Sequence, residues 1–64
     1  MEKVEFIYDT DRNLFRHSSG YVIDGDWLML SADNYVMDSV FHNTGAEIDE
    51  DTVASMRAIV EQFQ

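Results

Sequence analysis

The fold is decided by the stretch Gly20-Tyr21-Val22-Ile23-Asp24-Gly25-Asp26-Trp27-Leu28-Met29-Leu30-Ser31, in which two short apolar runs meet at Asp24-Gly25. An Asp-Gly pair between apolar runs is typical of a type I′ hairpin turn, because both central positions of that turn need a positive φ and glycine adopts one without steric cost. The sequence therefore predicts a β-hairpin with strands at 21–24 and 27–30. Since both faces of these strands are apolar, we expect the rest of the chain to cover the hairpin.

The residues before this stretch predict two further strands. In residues 3–9 the side chains of Val4, Phe6 and Tyr8 fall on one face, which is the alternation of a half-buried strand. Residues 14–18 fit either a strand that returns from a polar turn or one helical turn, and we favour the strand.

After Ser31 the spacing of the apolar residues changes to that of a helix. Val36 and Val40 are four residues apart, so residues 32–42 are predicted to form a helix with Ser31 as its N-cap. Gly45 follows and can supply a left-handed cap. A strand remains the alternative for this segment.

The last segment carries the signals of a helix start. Asp49 is a candidate N-cap, and Ile48 and Val53 occupy the two positions of a hydrophobic staple, so a helix is predicted over 50–63. The stripe expected to pack on the sheet comprises Val53, Met56, Ile59, Val60 and Phe63. The residues predicted to face water are Ser55, Arg57, Glu61 and Gln62.

Together these elements predict an α+β fold, with a small antiparallel sheet built around the 21–30 hairpin and packed by helices at 50–63 and 32–42. A chain of 64 residues makes one compact domain, 1–64, with a small core. It has no cysteine, which excludes disulfides and thiolate metal sites and fits a reducing cytosol. Its longest apolar run is 27–30, so we expect no membrane span, no signal peptide and a cytoplasmic location.

Charge is the most unusual property of the chain. Thirteen Asp and Glu residues stand against four Lys and Arg, which gives a formal net charge of −9. The hydrophobic fraction of 45% is too high for a disordered chain, so we expect a folded surface to carry these charges. Such a surface repels nucleic acid, and its natural partner is a basic protein surface. The alternative is that the acidity only aids solubility.

One polar segment invites a metal-binding interpretation. Asp9, Asp11 and Asn13 match the opening of a calcium-binding loop. The sixth position of such a loop needs glycine and the twelfth needs glutamate, whereas this chain has Leu14 and Gly20 there. The segment is therefore predicted to be an ordinary polar turn.

The sequence does not favour a catalytic or metal-binding role for either histidine. His17 precedes Ser18 and Ser19, but adjacent side chains of a strand point to opposite faces and the sequence has no nucleophile elbow. His42 has no partner at metal-ligand spacing. We therefore expect no catalytic residue, no metal site and no cofactor.

Carboxylates are the candidate partner-binding groups. The simplest interpretation of Asp49-Glu50-Asp51 is helix capping, but with Glu47 these residues also form a compact anionic edge that arginine or lysine can bind. The predicted partner-binding set is Asp24, Asp26, Asp33, Asp38, Glu47, Asp49, Glu50 and Asp51. Sequence spacing does not establish that these residues share one face.

Two stretches carry a family resemblance: the run from Gly20 to Trp27 and the acidic lead-in Glu47-Ile48-Asp49-Glu50-Asp51. In these stretches the chain resembles the small acidic anti-CRISPR proteins of phages and mobile elements, in particular inhibitors of type I-C systems from Pseudomonas. The resemblance implies a viral protein that acts in the bacterial host cytoplasm. Its partner would be a Cas subunit of a type I surveillance complex (Cascade), whose basic groove reads the short motif beside the DNA target. No functional residue is carried over, since no family motif defines one.

Three functional hypotheses follow. The leading one is a monomeric, non-enzymatic anti-CRISPR inhibitor whose carboxylates replace DNA phosphates on a basic protein, a mechanism known as DNA mimicry. The alternative is an acidic antitoxin, immunity protein or transcription-regulating protein that neutralises another basic protein. The third, a small hydrolase or metal-dependent enzyme that uses the aspartates, is disfavoured because catalytic carboxylate pairs need a cleft.

Overall fold

Strands come first along the chain and helices follow. The computed structural model describes residues 5–63, in which the elements are β1 (Ile7–Asp9), β2 (Leu14–Arg16), β3 (Val22–Asp24), α1 (Gly25–Leu30), α2 (Asp33–Thr44) and α3 (Glu50–Phe63). This order confirms the predicted α+β class and both predicted helices, and the strand alternative for the first of them is wrong.

The strands form one antiparallel sheet in the order β1-β2-β3. Tyr8 of β1 faces Phe15 of β2, and Phe15 faces Ile23 of β3. Phe15 and Ile23 are buried, and the rings of Tyr8 and Phe15 lie 4.7 Å apart. Ile7 points to the opposite face and is 78% exposed. One face of the sheet therefore contributes to the core, as the alternation predicts.

The predicted strands before the central stretch are longer than the observed ones. The strand predicted at 14–18 is confirmed over Leu14–Arg16. The strand predicted at 3–9 is confirmed over Ile7–Asp9, and residues 3 and 4 lie outside the described residues.

A polar turn joins β1 to β2, as predicted for this segment. The Asp9 Oδ1 atom accepts the N–H groups of Asp11 at 3.0 Å and Arg12 at 3.2 Å, which is how aspartate closes a turn on its own backbone. Asn13 completes the turn with a φ of 53°, a left-handed conformation that asparagine tolerates. The Asp9 Oδ2 atom also pairs with Arg16 at 3.4 Å.

The predicted 21–30 hairpin is wrong, because residues 25–30 form helix α1 and β3 pairs with β2 instead. The Asp24 Oδ1 atom accepts the N–H groups of Asp26 at 2.8 Å and Trp27 at 3.4 Å, so Asp24 is the N-cap of α1. Gly25 is not among the glycines with a positive φ, which a type I′ turn would require. A short apolar run fits a strand or a buried helix equally well by pattern, and here the capping aspartate favours the helix.

Close backbone packing explains the glycine at position 25. The N–H of Gly25 donates to the carbonyl oxygen of Asn13 at 2.8 Å. A Cβ atom added to Gly25 would lie 2.3 Å from the Asn13 Oδ1 atom and 2.9 Å from the Asn13 carbonyl oxygen. Only glycine therefore allows α1 to begin against the β1–β2 turn.

Helix α2 begins one residue later than its predicted cap implies. Its N-cap is Ala32, which makes no side-chain capping bond, so the prediction of Ser31 as N-cap is wrong. Ser31 instead ends α1, because its N–H donates to the Trp27 carbonyl at 2.9 Å. At the other end the left-handed cap is confirmed, since Gly45 has a φ of 73° and its N–H donates to the Phe41 carbonyl at 2.8 Å.

Helix α3 starts as predicted. The Asp49 Oδ1 atom accepts the backbone N–H of Thr52 at 2.8 Å and its hydroxyl at 2.7 Å. Ile48 and Val53 are both buried, which confirms the hydrophobic staple. Phe63 near the C-terminal end is 58% exposed, although its ring lies 5.7 Å from that of Tyr8.

The core lies where the sheet, α1, α2 and α3 meet. No polar or charged residue is buried within residues 5–63. The buried hydrophobic side chains are Phe15, Ile23, Leu28, Val36, Val40, Ile48, Val53, Met56 and Val60.

Arg57 does not face water, so that prediction is wrong. Its side chain is only 25% exposed, and its Nε atom donates to the Leu28 carbonyl at 3.0 Å. Its two terminal nitrogens bond the Ser31 carbonyl and the Asp33 carboxylate. One guanidinium on α3 thus joins the end of α1 to the start of α2.

Replacing Arg57 with methionine should destabilise the fold by about 2 kcal/mol, because hydrogen bonds to a charged, half-buried group are lost while the apolar stem is kept. The matched control is Arg16→Met, which changes the net charge equally but breaks one pair whose arginine side chain is 51% exposed. That control should cost less than about 1 kcal/mol. Urea unfolding measures both, and equal losses would contradict the role given to Arg57.

Gly25→Ala should destabilise the fold by about 1–3 kcal/mol, because the added methyl overlaps Asn13. Asn13→Gly removes the overlapping side chain and tolerates the positive φ at that position. The double variant should therefore be more stable than the sum of the two single losses predicts. Strict additivity in urea unfolding would show that the side chain of Asn13 is not what excludes a side chain at position 25.

Candidate protein-binding surface

A shallow groove of about 370 Å³ lies between α2 and the segment that leads into α3. We name it the acidic groove, and its lining consists of Met37, Asp38, Phe41, Glu47 and Ile48. Three of these side chains are apolar and two are carboxylates, and Phe41 is 44% exposed. The groove is thus an apolar surface bordered by negative charge.

Local sequence features build this groove. Met37 and Phe41 lie four residues apart and so share one side of α2. The left-handed cap at Gly45 ends the helix and reverses the chain. Ile48 is then buried in the core, which holds the returning segment and Glu47 beside α2.

A second shallow groove, of about 350 Å³, borders Asp38 on the other side. It is lined by Tyr35, Asp38, Ser39 and His42. Tyr35 is 63% exposed, and its ring meets that of Trp27 edge-on with centroids 5.9 Å apart. Asp38 therefore stands between two grooves, each of which exposes an aromatic ring.

Further carboxylates follow Glu47 along the chain, at the start of α3. Glu50 and Asp51 are exposed in the first turn of that helix. In the described part of the chain, ion pairs join Arg16 to Asp9 and Arg57 to Asp33, and Asp38, Glu47, Glu50 and Asp51 belong to neither pair. We name the α2–α3 acidic cluster by its members, Asp38, Glu47, Asp49, Glu50 and Asp51.

Asp24 and Asp26 lie elsewhere, at the start of α1. Asn13 donates through its Nδ2 atom to the Asp26 carboxylate at 3.4 Å and accepts the Tyr8 hydroxyl at 2.6 Å. Because the Tyr8 ring lies 5.7 Å from Phe63, this group of residues sits by the C-terminal end of α3. Asp49 and its neighbours sit at the other end of the same helix.

The eight predicted partner-binding residues therefore do not share one face. At 1.5 Å per residue, a helix of 14 residues separates its two ends by about 20 Å. Five of the eight form the α2–α3 acidic cluster, and Asp24 and Asp26 lie at the opposite end of α3. Asp33 is paired with Arg57, so its charge is compensated.

Structural roles separate the predicted carboxylates further. Asp24 caps α1 and Asp49 caps α3, so both contribute to folding. Within residues 5–63, no side-chain hydrogen bond or ion pair is assigned to Asp38 or Glu47, and both residues are exposed. Asp38 and Glu47 are therefore the clearest candidates in the cluster for contact with a partner.

Sequence reasoning missed the apolar part of this surface. Met37 and Phe41 have the same four-residue spacing as the buried residues of α2. This spacing does not distinguish a buried side chain from a partly exposed one. The informative signal was the nearby Gly45, whose turn brings Ile48 and Glu47 back beside α2.

The two histidines lie in different surroundings. His17 is half-buried, and its ring lies 5.3 Å from that of Phe6. The His17 Nδ1 atom accepts the N–H of Ser19 at 3.2 Å and lies 2.8 Å from its hydroxyl, and these bonds close the turn before Gly20. His42 lines the open groove beside Asp38. Within residues 5–63 no group of three or more histidine or carboxylate side chains is arranged to hold a metal ion.

None of the helices within residues 5–63 combines the length and the apolar character that crossing a membrane requires. No protein-family model, curated protein or solved structure matches this chain.

Asp49→Ala should destabilise α3 by about 1 kcal/mol, because the backbone N–H of Thr52 loses its acceptor. Asp51→Asn should cost only about 0.3 kcal/mol, since it removes an exposed charge near the helix N-terminus. Thermal and urea unfolding of the two variants check this difference. If Asp51→Asn cost as much as Asp49→Ala, the division of the cluster into capping and surface residues would be wrong.

Proposed function

We propose that this protein is a non-enzymatic inhibitor that binds a basic, nucleic-acid-binding surface of another protein in place of DNA. The observation that carries the proposal is the α2–α3 acidic cluster, whose Asp38, Glu47 and Glu50 are exposed and belong to neither ion pair of residues 5–63. Carboxylates placed in this way can accept charge-assisted hydrogen bonds from the lysines and arginines that otherwise bind phosphates.

The density of negative charge supports DNA mimicry. The chain measures 31 × 22 × 15 Å along its principal axes and carries thirteen Asp and Glu side chains. Duplex DNA of the same length carries about 18 phosphates, at one per 1.7 Å.

Exposed rings add a second kind of contact. Tyr35 and Phe41 lie on either side of Asp38, in the two grooves that this residue borders. Aromatic residues are enriched at the centres of protein interfaces, where charged groups are otherwise depleted. These rings therefore favour a protein partner that makes apolar contacts as well as ionic ones.

The resemblance to anti-CRISPR proteins directs the proposal to a target. The expected partner is the subunit of a type I surveillance complex whose basic groove reads the short motif beside the target DNA. The same surface chemistry would also suit an antitoxin, an immunity protein or a transcription regulator, and the identity of the captured partner separates these cases.

Displacement of DNA tests the proposal. The protein is added to a purified type I surveillance complex that holds a fluorescently labelled target duplex, over a series of salt concentrations. We expect the duplex to be released, with an apparent affinity that falls steeply as salt rises, because exposed charge pairs are screened. An unchanged amount of bound duplex at low salt would contradict this target, and capture from a host lysate would then identify the partner.

Two matched variants locate the binding surface. The first carries Asp38→Asn, Glu47→Gln and Glu50→Gln in the cluster, and the second carries the same number of neutralisations at the exposed positions Glu5, Asp11 and Glu61. Both have a net charge three units less negative than wild type. The cluster variant should inhibit about tenfold less well, whereas the second should stay close to wild type. Equal losses would mean that total charge acts without a defined surface.

A further inference from the structure

We infer that the acidic groove receives an arginine side chain of the partner. This inference rests on the proposed function and makes it more specific, because it names the residue type that anchors the complex. The groove combines an apolar lining with two carboxylates, and its volume of about 370 Å³ accommodates one long side chain.

The apolar lining suits the stem of an arginine. Met37, Phe41 and Ile48 line the groove, and the carbon chain of arginine buries itself readily against such surfaces. Phe41 is 44% exposed, so part of its side chain is accessible to a partner. Guanidinium groups stack on aromatic faces more often than ammonium groups do.

The carboxylates suit the head of the same side chain. Asp38 on α2 and Glu47 on the returning segment line one groove, and both side chains are exposed. A guanidinium presents its donors in a planar fork, so it can reach acceptors on two sides at once, whereas the ammonium of lysine is a point charge.

The neighbouring groove is less suitable for a cation. It has Asp38 as its one carboxylate, and it also contains His42, whose imidazole becomes positive on protonation. Among residues 5–63, the acidic groove is lined by two carboxylates and by no basic side chain. Arginine is therefore expected to enter on the Phe41 side of Asp38.

Two peptides of equal charge, hexa-arginine and hexa-lysine, test the inference. Each is titrated into the isotopically labelled full-length protein, and binding is followed by nuclear magnetic resonance. Hexa-arginine should bind about threefold more tightly, because stacking and the planar fork add to a common charge term. The largest chemical-shift changes that it causes in the protein should be those of Met37, Phe41 and Ile48.

Matched substitutions identify the groove. Phe41→Leu keeps an apolar side chain but removes the ring, so the preference for arginine should disappear, whereas Tyr35→Leu in the other groove should retain it. Glu47→Gln should weaken arginine binding about twofold to fivefold, and Glu61→Gln at an exposed site outside the groove should not. The amide spectra of the same samples report whether each variant is folded.

Equal binding of the two peptides, or a preference that survives Phe41→Leu, would overturn the arginine site. Chemical-shift changes centred on Asp24 and Asp26 would also overturn the arginine site. The proposed function can fail separately from this inference. In that case the protein would leave DNA bound to the surveillance complex, although it still prefers hexa-arginine to hexa-lysine.

Discussion

The guanidinium of Arg57 fixes how the three helices meet, and the rest of the structure depends on that arrangement. It bonds the Leu28 and Ser31 carbonyls at the end of α1 and the Asp33 carboxylate at the start of α2. Backbone carbonyls at a helix end need a donor from outside the helix, and α1 has no basic residue in its own last turn. A planar fork from α3 supplies the donors for three acceptors on two other helices.

This use of Arg57 shapes the electrostatics of the surface. The chain has only four Lys and Arg residues, and two of them, Arg57 and Arg16, pair with Asp33 and Asp9. None of these four residues is among those that line the groove between α2 and the segment leading into α3. The buried core of residues 5–63 is entirely apolar, and its packing must offset the mutual repulsion of the acidic side chains.

Acidic residues serve two different purposes in this small domain. Asp24 and Asp49 hold helix N-termini through backbone N–H groups, so their negative charge contributes to stability. Asp38 and Glu47 border an exposed groove, and within residues 5–63 neither caps a helix nor belongs to an ion pair. These exposed carboxylates, beside the partly exposed Phe41, are the groups that we propose bind the partner.

Local signals in the sequence determined the start of α3, the left-handed end of α2 and the alternation that buries one face of the sheet, because each depends on residues within a few positions of one another. The tertiary structure decided the conformation of residues 25–30, where the contact of Gly25 with Asn13 places the start of a helix against the β1–β2 turn. It also decided the position of Arg57 and the division of the carboxylates between two ends of α3. These outcomes join residues 12 to 29 positions apart, and no local pattern records such distances.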